Sequence, residues 1–589
     1  KESKERVRSA LINSGLSFPM ERITVNLAPA DLPKAGGRYD LAIAVAILIA
    51  SQQLSARSSG QLVALLKDCE MVGELALNGE LRPVPGVVQA ALAAQSVGRP
   101  LLVPAANRAE LRIVGYPLAR GVASLTDLLR FATQLAEDQK TLFDENLTHE
   151  AVKDTCTNQE ATSQYRPKFA PVRGQARALR ALEIAAAGGH NLLMLGPPGS
   201  GKTLLATTLS KLLPQMSREE ILEVASIRSA AVGSLSQGRA LDLHSACSER
   251  PLRAPHHSAT MPALVGGGGD ATPGEITLAH RGVLFLDELA EFKSTVLDAL
   301  REPLEARVIT LSRARYRVQF PANFQLVAAM NPCPCGYATD PQRECRCTPD
   351  RVRNYMGKVS GPLLDRFDLI IEVPALSHAE LLAVGRSPID EQPHSQAECQ
   401  KEGQGAGKLV IKAASQGVRQ GVKQSAKQGA KKIAGQGDRQ NAEQEGEQEE
   451  KQRERQKEKQ RNKHKEEQRN DRSTAQKSRR SGGHKHGQIA DEEQAWENRR
   501  TLIAQCRVLQ ISRQGVLNCE LSAEELEQAC GLNNARKVKL AALFEDLGVS
   551  ARGAHRVLRM ARTVADFDGC GQVEDAHFLE AASYRRRSP

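Results

Sequence analysis

The chain has 589 residues, enough for about three or four domains with cores of their own, and a formal net charge of +11. All of that excess lies in residues 401–490, which hold 14 Lys, 9 Arg and 12 acidic residues; the remainder balances at 57 basic and 57 acidic residues, so overall basicity is no argument for a nucleic-acid-binding fold. The longest apolar run, residues 41–50, is too short to cross a bilayer, and twelve cysteines in so long a chain fit a reducing, cytoplasmic setting better than a disulfide framework.

In chain order, residues 24–47 read as a strand, a polar loop and an apolar helix. Residues 72–86 read as a β-hairpin turning at Asn78-Gly79, a pair that accepts the left-handed backbone of a tight turn. A helix over 87–96 and a strand over 100–104 follow within a unit placed at 1–135, and a linker is placed at 136–168.

Gly196, Pro197, Pro198, Gly199, Ser200, Gly201, Lys202 and Thr203 complete the phosphate-loop pattern G-x-x-x-x-G-K-[ST]. The apolar run 191–195 reads as a buried parallel strand feeding this loop, and 203–213 as the helix leaving it. Glycines let backbone N–H groups turn inward around phosphate, and the helix start adds partial positive charge. Lys202 suits the β- and γ-phosphates, and the Thr203 hydroxyl suits Mg2+. A plain glycine-rich turn has no use for Lys-Thr at the head of a helix behind a strand. The chain is expected to bind a nucleoside triphosphate.

A second apolar strand over 282–286 ends in Asp287 and Glu288, 85 residues beyond Lys202. Such strand ends are common in isolation, but behind a phosphate loop Asp287 suits magnesium and Glu288 suits polarisation of the attacking water. A third strand over 325–330 ends in Asn331, placed to orient that water or touch the γ-phosphate. Cys333, Cys335, Cys345 and Cys347 form two C-x-C pairs, which read either as a four-thiolate zinc site or as free, redox-labile thiols. The run 362–368 sets Arg366 among acids, either in an ion pair within the chain or as a finger completing a neighbouring subunit's site.

Residues 396–490 carry runs of Gln, Lys, Arg and Glu. Within 401–490 there are 15 Gln and no aromatic residue, too little apolar surface to offset chain entropy, so disorder or a fluctuating solvated helix is expected. The segment reads as a DNA tether or as a tolerated surface insertion. Residues 548–566 read as an amphipathic helix. Val557, Leu558, Ala561, Val564 and Ala565 form its apolar stripe. Arg552, Arg556 and Arg559 share the other face, which taken alone is a solvated basic face.

This ordered set resembles the AAA+ ring ATPases. The residues 250–259, with Arg250, Arg253, His256 and His257, the glycine run Gly266 to Gly269, and residues 273–280 narrow the resemblance to the magnesium-chelatase-like branch. The N-terminal part is similar to the protease domain of Lon, with Asp40 near the serine position and Val88 at the lysine position of that family's dyad. Neither can act as nucleophile or base in a serine–lysine pair. Taken together the chain resembles the ComM family, also called YifB.

The resemblance implies an α/β fold: a P-loop AAA+ core at 169–395 and a helical C-terminal lid at 491–589, preceded by an inactive Lon-protease-like (ribosomal-S5-like) α/β domain at 1–135. It implies ATP and Mg2+ as cofactors, a homo-oligomer of six subunits, no membrane partner, and helicase action on single-stranded or branched DNA during integration of transforming DNA. It also assigns Arg556, with Arg552 as fallback, to a second γ-phosphate sensor, and Arg366 to the finger. DNA-facing charge is expected near Arg250, Arg253, His256 and His257. The chain opens at Lys1 where the family has an internal helix, so further strand-forming sequence is expected ahead of it, with an incompletely packed first domain. The alternatives are a magnesium-chelatase subunit and an ATP-dependent protease of Lon type. The N-terminal domain opposes the first, and the absent dyad the second.

Overall fold

The computed structural model describes residues 2–28, 36–54, 60–130, 169, 172, 174–235, 249–267, 272–312, 317–340, 342–376, 493–546 and 548–585. The expected linker at 136–168, the whole of the segment 396–490, and Gly268 and Gly269 lie outside them.

The centre is a five-stranded, all-parallel sheet in the order Leu369–Glu372, Leu192–Leu195, Gln325–Met330, Val283–Leu286, Leu252–Arg253. Its inner strands are nearly continuous apolar runs, as strands covered on both faces must be. The two-residue period divides them between two cores. Leu192, Met194, Val283, Phe285, Val327 and Ala329 face the helix Ala176–Gly188 and the C-terminal helices. Leu193, Leu284, Leu286, Leu326, Ala328 and Met330 face Ile276, Leu297, Leu300 and Phe367. Because Gln325–Met330 sits between the strand that feeds the phosphate loop and the strand that ends at Asp287, the sheet brings Asn331 between those two motifs.

The C-terminal region joins the first of these cores. In the helix Ala551–Phe567 the predicted stripe is buried: Val557, Leu558, Ala561, Val564 and Ala565 all pack inward. Its arginine face is solvated only at Arg552. Arg559 donates to the carbonyl of Leu521, and Arg556 reaches into the sheet. Arg562 is wholly buried on Asp566. The reason is that the chain around the helices Ala523–Ala529 and Asp575–Ser583 packs over Arg559 and Arg562 and offers them the carbonyls of Leu521, Ala529 and Cys570. The carboxylates come from Asp368 of the sheet and Asp566 of the same helix.

The N-terminal unit has a three-stranded parallel sheet with Leu101–Pro104 between Glu70–Met71 and Ala119–Val122. The hairpin pairs Glu74 with Arg82 and Leu75 with Leu81, and Gly79 at its turn has φ 87°. Residues 22–28 are not a strand, contrary to the sequence reading. A strand is held by its ladder, and among the described residues none pairs with this one; Ile23, Val25 and Leu27 stay 38–50% exposed. Among the described residues no helix is long and apolar enough to cross a membrane.

The helix Arg218–Leu235 of the core completes the N-terminal unit's second hydrophobic cluster. Met216, Val224 and Ala225 pack with Val87, Val88 and Ala91. A buried polar knot lies in this contact. Glu110 accepts from Asn107 Nδ2 at 2.8 Å and from the Ser229 hydroxyl, and Ser229 Oγ accepts from Val88 N–H at 3.4 Å. Burial pushes the Glu110 carboxyl above its ordinary value. An acid whose folded pKa is raised contributes stability at low pH that is lost as pH rises through the folded value. Raising pH from below the ordinary glutamate value through the raised one should therefore lower Tm through this group, and Glu110→Gln should flatten that part of the slope. Parallel pH–Tm curves for parent and variant would place the titration elsewhere.

Candidate active site

The phosphate loop leaves Leu192–Leu195 and enters the helix Lys202–Leu212. Gly199 and Gly201 have φ 78° and 87°, with nothing within 4 Å of an added Cβ, so the loop is an open cradle lined by backbone. Gly196 shows the opposite need. A Cβ there would lie 2.2 Å from the Val373 carbonyl, so only glycine lets the loop pass the neighbouring strand.

Lys202 is 8% exposed, and its ammonium donates to the carbonyls of Gly196 and Pro197, both at 2.8 Å, and to Asn331 Oδ1 at 3.3 Å. All three partners are neutral oxygens, and burial lowers the lysine's pKa. The Ser200 hydroxyl in the same loop is buried without a hydrogen-bond partner. A buried cation without a carboxylate and an orphan hydroxyl are what a bound triphosphate would complete. Thr203 Oγ1 donates to Asp287 Oδ2 at 2.9 Å, which sets two oxygen donors of the kind magnesium takes side by side at the loop's exit.

Glu288 takes a left-handed backbone at φ 53°, uncommon for a residue with a side chain and costing on the order of 1 kcal/mol. Its N–H is held by Asp287 Oδ1 at 2.9 Å. Its carboxylate meets His257 Nδ1 at 3.0 Å, and the rings of His256 and His257 lie 4.0 Å apart. The sequence reading set His257 in a DNA-facing loop and missed this pairing, which no local spacing signals.

The remaining predicted residues are placed as follows. Arg366 is 9% exposed and ion-paired with Glu305 within the chain. Arg556 donates to Asp368 Oδ1 at 2.7 Å and to the Arg366 carbonyl at 3.0 Å. Arg552 is exposed. Arg250 is held by Glu220 at 2.8 Å and by the carbonyls of Pro214 and Arg281, while Arg253 forms a two-bond pair with Glu275. Both guanidiniums are thus hydrogen-bonded inside the chain, the Arg253 side chain remaining 38% exposed. In the N-terminal unit Asp40 is buried on Arg6 at 2.8 Å, and Val88 is a fully buried core residue.

The four predicted cysteines do come together. Cys333 lies 3.3 Å from Cys335 and 3.7 Å from Cys345, with Cys335 3.6 Å from Cys345, and all four sulfurs fall within 4.8 Å of one another. A tetrahedral zinc site with Zn–S near 2.3 Å sets its sulfurs about 3.8 Å apart, so the set fits that ion. Backbone N–H groups of Tyr337 and Arg346, with the neighbouring thiols, lower the Cys335 pKa, while burial and crowding by the other sulfurs raise those of Cys345 and Cys347.

Three family models cover most of the chain: "Magnesium chelatase, subunit ChlI" over residues 168–381, "Subunit ChlI of Mg-chelatase" over 1–107, and "Magnesium chelatase, subunit ChlI C-terminal" over 493–585. The competence protein ComM of Haemophilus influenzae is 38% identical over 585 residues, 99% of this chain and 89% of that protein. The uncharacterized protein YifB of Salmonella typhimurium is 37% identical over the same shares. The uncharacterized protein Mb2921c of Mycobacterium bovis is 45% identical over 380 residues, 64% of this chain and 69% of that protein.

The Arg556–Asp368 pair generates a test. Asp368 is buried, and its carboxyl is held well below the usual range by His190, Arg556 and the Asn191 N–H against the cost of burial. Arg556→Ala should destabilise the nucleotide-free protein by about 3–5 kcal/mol, read by denaturant melts, because it leaves a buried charge without its cation. A residue serving only as a phosphate sensor would leave those melts unchanged.

Proposed function

Since this chain belongs to the ComM and YifB family of magnesium-chelatase-like proteins, we propose that it is an AAA+-type ATPase working as a ring, a hexamer in this reading, on single-stranded or branched DNA. The observation that carries the ATPase part is Lys202, a buried ammonium held only by neutral oxygens between Asn331 and the Thr203–Asp287 pair. In this reading the triphosphate lies on the N–H groups of residues 196–202, with Lys202 on its β- and γ-phosphates. Magnesium, when bound, neutralises phosphate charge, and Thr203 and Asp287 would hold it. Glu288 takes a proton from the attacking water, and His257 fixes the carboxylate that does so. Arg366 leaves Glu305 to serve a neighbouring subunit's site.

Kinship with a competence protein supports the DNA part, and with it a role in branch migration as transforming DNA is integrated. Arg250 and Arg253 are paired with Glu220 and Glu275, so in this reading they would have to exchange those carboxylates for phosphate to meet DNA. The N-terminal unit is read as Lon-like in fold and without peptidase chemistry, on the strength of a salt-bridged Asp40 and an aliphatic Val88 where a dyad would stand. We further propose that Cys333, Cys335, Cys345 and Cys347 hold a structural zinc ion. A chelatase subunit is the second reading, favoured by the descriptions of the matching family models. ATPase rate with and without single-stranded and forked DNA, followed by strand displacement, separates the two; no stimulation by either DNA overturns the motor reading.

Two variants test the site. Lys202→Ala should abolish nucleotide binding, whereas Glu288→Gln should bind ATP and lose at least about 100-fold in turnover. Near-parental turnover of the Gln variant would overturn the role of Glu288.

Arg366→Ala should assemble and hydrolyse poorly, yet regain activity when mixed with Lys202→Ala subunits, each of which supplies an intact arginine to its neighbour. Mixed rings without any regained activity would reduce Arg366 to its ion pair with Glu305.

A further inference from the structure

The zinc knuckle and the nucleotide cradle touch. Asn331, whose Oδ1 accepts from Lys202 at 3.3 Å, is followed after one proline by Cys333, a fully buried thiol of the four-cysteine set. The loop then closes on itself, Gly336 N–H donating to the Cys333 carbonyl at 3.0 Å. Gly336 stands at φ 86°, and a Cβ added there would lie 2.6 Å from Pro198 Cδ and 3.9 Å from Asn331 Cγ. Pro198 belongs to the phosphate loop itself. On the far side, Tyr355 is pushed up to about 12 by burial and by the charges of Glu291 and Glu288, and its hydroxyl lies within reach of the Asn331 backbone N–H. The knuckle's first turn is therefore pressed between the phosphate loop and the residue that Lys202 contacts. Two short C-x-C pairs have no helix or sheet of their own to hold that turn. The sulfurs of Cys333 and Cys335 lie 3.6–3.7 Å from that of Cys345. Besides them, two backbone N–H···S contacts, Arg346 to Cys335 and Cys335 to Cys347, and the Arg343 bond to the Tyr337 hydroxyl at 2.9 Å cross between the two halves.

We propose that a metal ion of zinc type, held by Cys333, Cys335, Cys345 and Cys347, is an integral brace of the nucleotide site: it fixes the turn that packs on Pro198 and thereby the Asn331–Lys202 contact, so that nucleotide affinity depends on the metal. The inference rests on the nucleotide and zinc readings above. It adds a coupling between them that neither requires. No ligand passes from one site to the other. The link is mechanical, through one glycine without a side chain and one proline ring in contact. Thiolate–metal bonds are strong enough to hold a turn of irregular backbone, and when they are lost the four thiols gain freedom to separate.

The test uses the full chain. Zinc is counted by elemental analysis, then released by titrating the thiols with an organomercurial in the presence of a colorimetric chelator. Binding of a fluorescent, non-hydrolysable ATP analogue is measured before release, after it, and after the mercurial is removed with excess thiol and zinc is restored. One zinc per chain, an affinity loss of about tenfold or more on release, and recovery on restoration are expected. Gly336→Ala supplies an independent arm that leaves every thiol in place. It should keep its zinc and still lose about tenfold in affinity, because its methyl group displaces Pro198. Stoichiometric zinc with unchanged affinity after release, or parental affinity in Gly336→Ala, overturns the brace and leaves the zinc reading standing. Absence of zinc in a protein that binds nucleotide normally overturns zinc and brace together. Absence of nucleotide binding in the parent overturns the nucleotide reading and the brace with it. Lys202→Ala should retain zinc while losing nucleotide, and joint loss of both would overturn the proposed direction of dependence.

Discussion

A carboxylate buried away from water keeps its charge only where cations and N–H donors surround it. Asp368 occupies such a place, and the geometry of the parallel-sheet core follows from it. Its oxygens take the Asn191 N–H at 2.9 Å and Arg556 at 2.7 Å, with His190 Nδ1 at 3.7 Å. Asn191 in turn accepts from the Leu326 N–H at 2.8 Å and donates its amide to the Arg366 carbonyl at 2.9 Å. One charge thus ties together the starts of the strands Leu192–Leu195, Gln325–Met330 and Leu369–Glu372, and pins the helix Ala551–Phe567 to them. The phosphate loop and Asn331 lie at the opposite ends of two of those strands. Their separation is set by a register fixed at the bottom of the sheet.

Two kinds of charge are handled differently around this frame. Arg366, Arg250, Arg253 and Arg562 each meet a carboxylate, as a planar fork with five donors readily does. Lys202 meets none, and its pKa falls as burial dictates. Asp287 and Glu288 lie near enough to oppose that fall but form no ion pair with it among the described residues. The contrast marks the lysine as the charge left for a ligand.

Features written in contiguous residues were legible from the sequence. The phosphate loop, the Asp287-Glu288 strand end, the Asn331 strand end and the stripe on Ala551–Phe567 are each local patterns whose period or spacing states the structure. The four cysteines were legible as a set because their spacing limits where they can go, and the fold brings them together. What failed depends on partners far along the chain. Nothing near Arg556 announces Asp368, 188 residues away, and nothing near Arg250 announces Glu220 across a turn of the core. The reading of residues 24–27 as a strand failed for the complementary reason: an alternating pattern describes readiness to pair, and the partner decides the rest.

The contact between the N-terminal unit and the helix Arg218–Leu235 also has a consequence for how the chain is made. Val88 finds its hydroxyl acceptor on Ser229, 141 residues later, and the cluster around Val87 and Ala91 closes only with Met216, Val224 and Ala225. A ribosome adds about 5–20 residues per second, so the first domain emerges roughly 5 to 20 seconds before the residues that finish its core. Through that interval the nascent chain displays an open apolar face on the helix Val87–Val97. The first domain is thus completed by its successor rather than ahead of it.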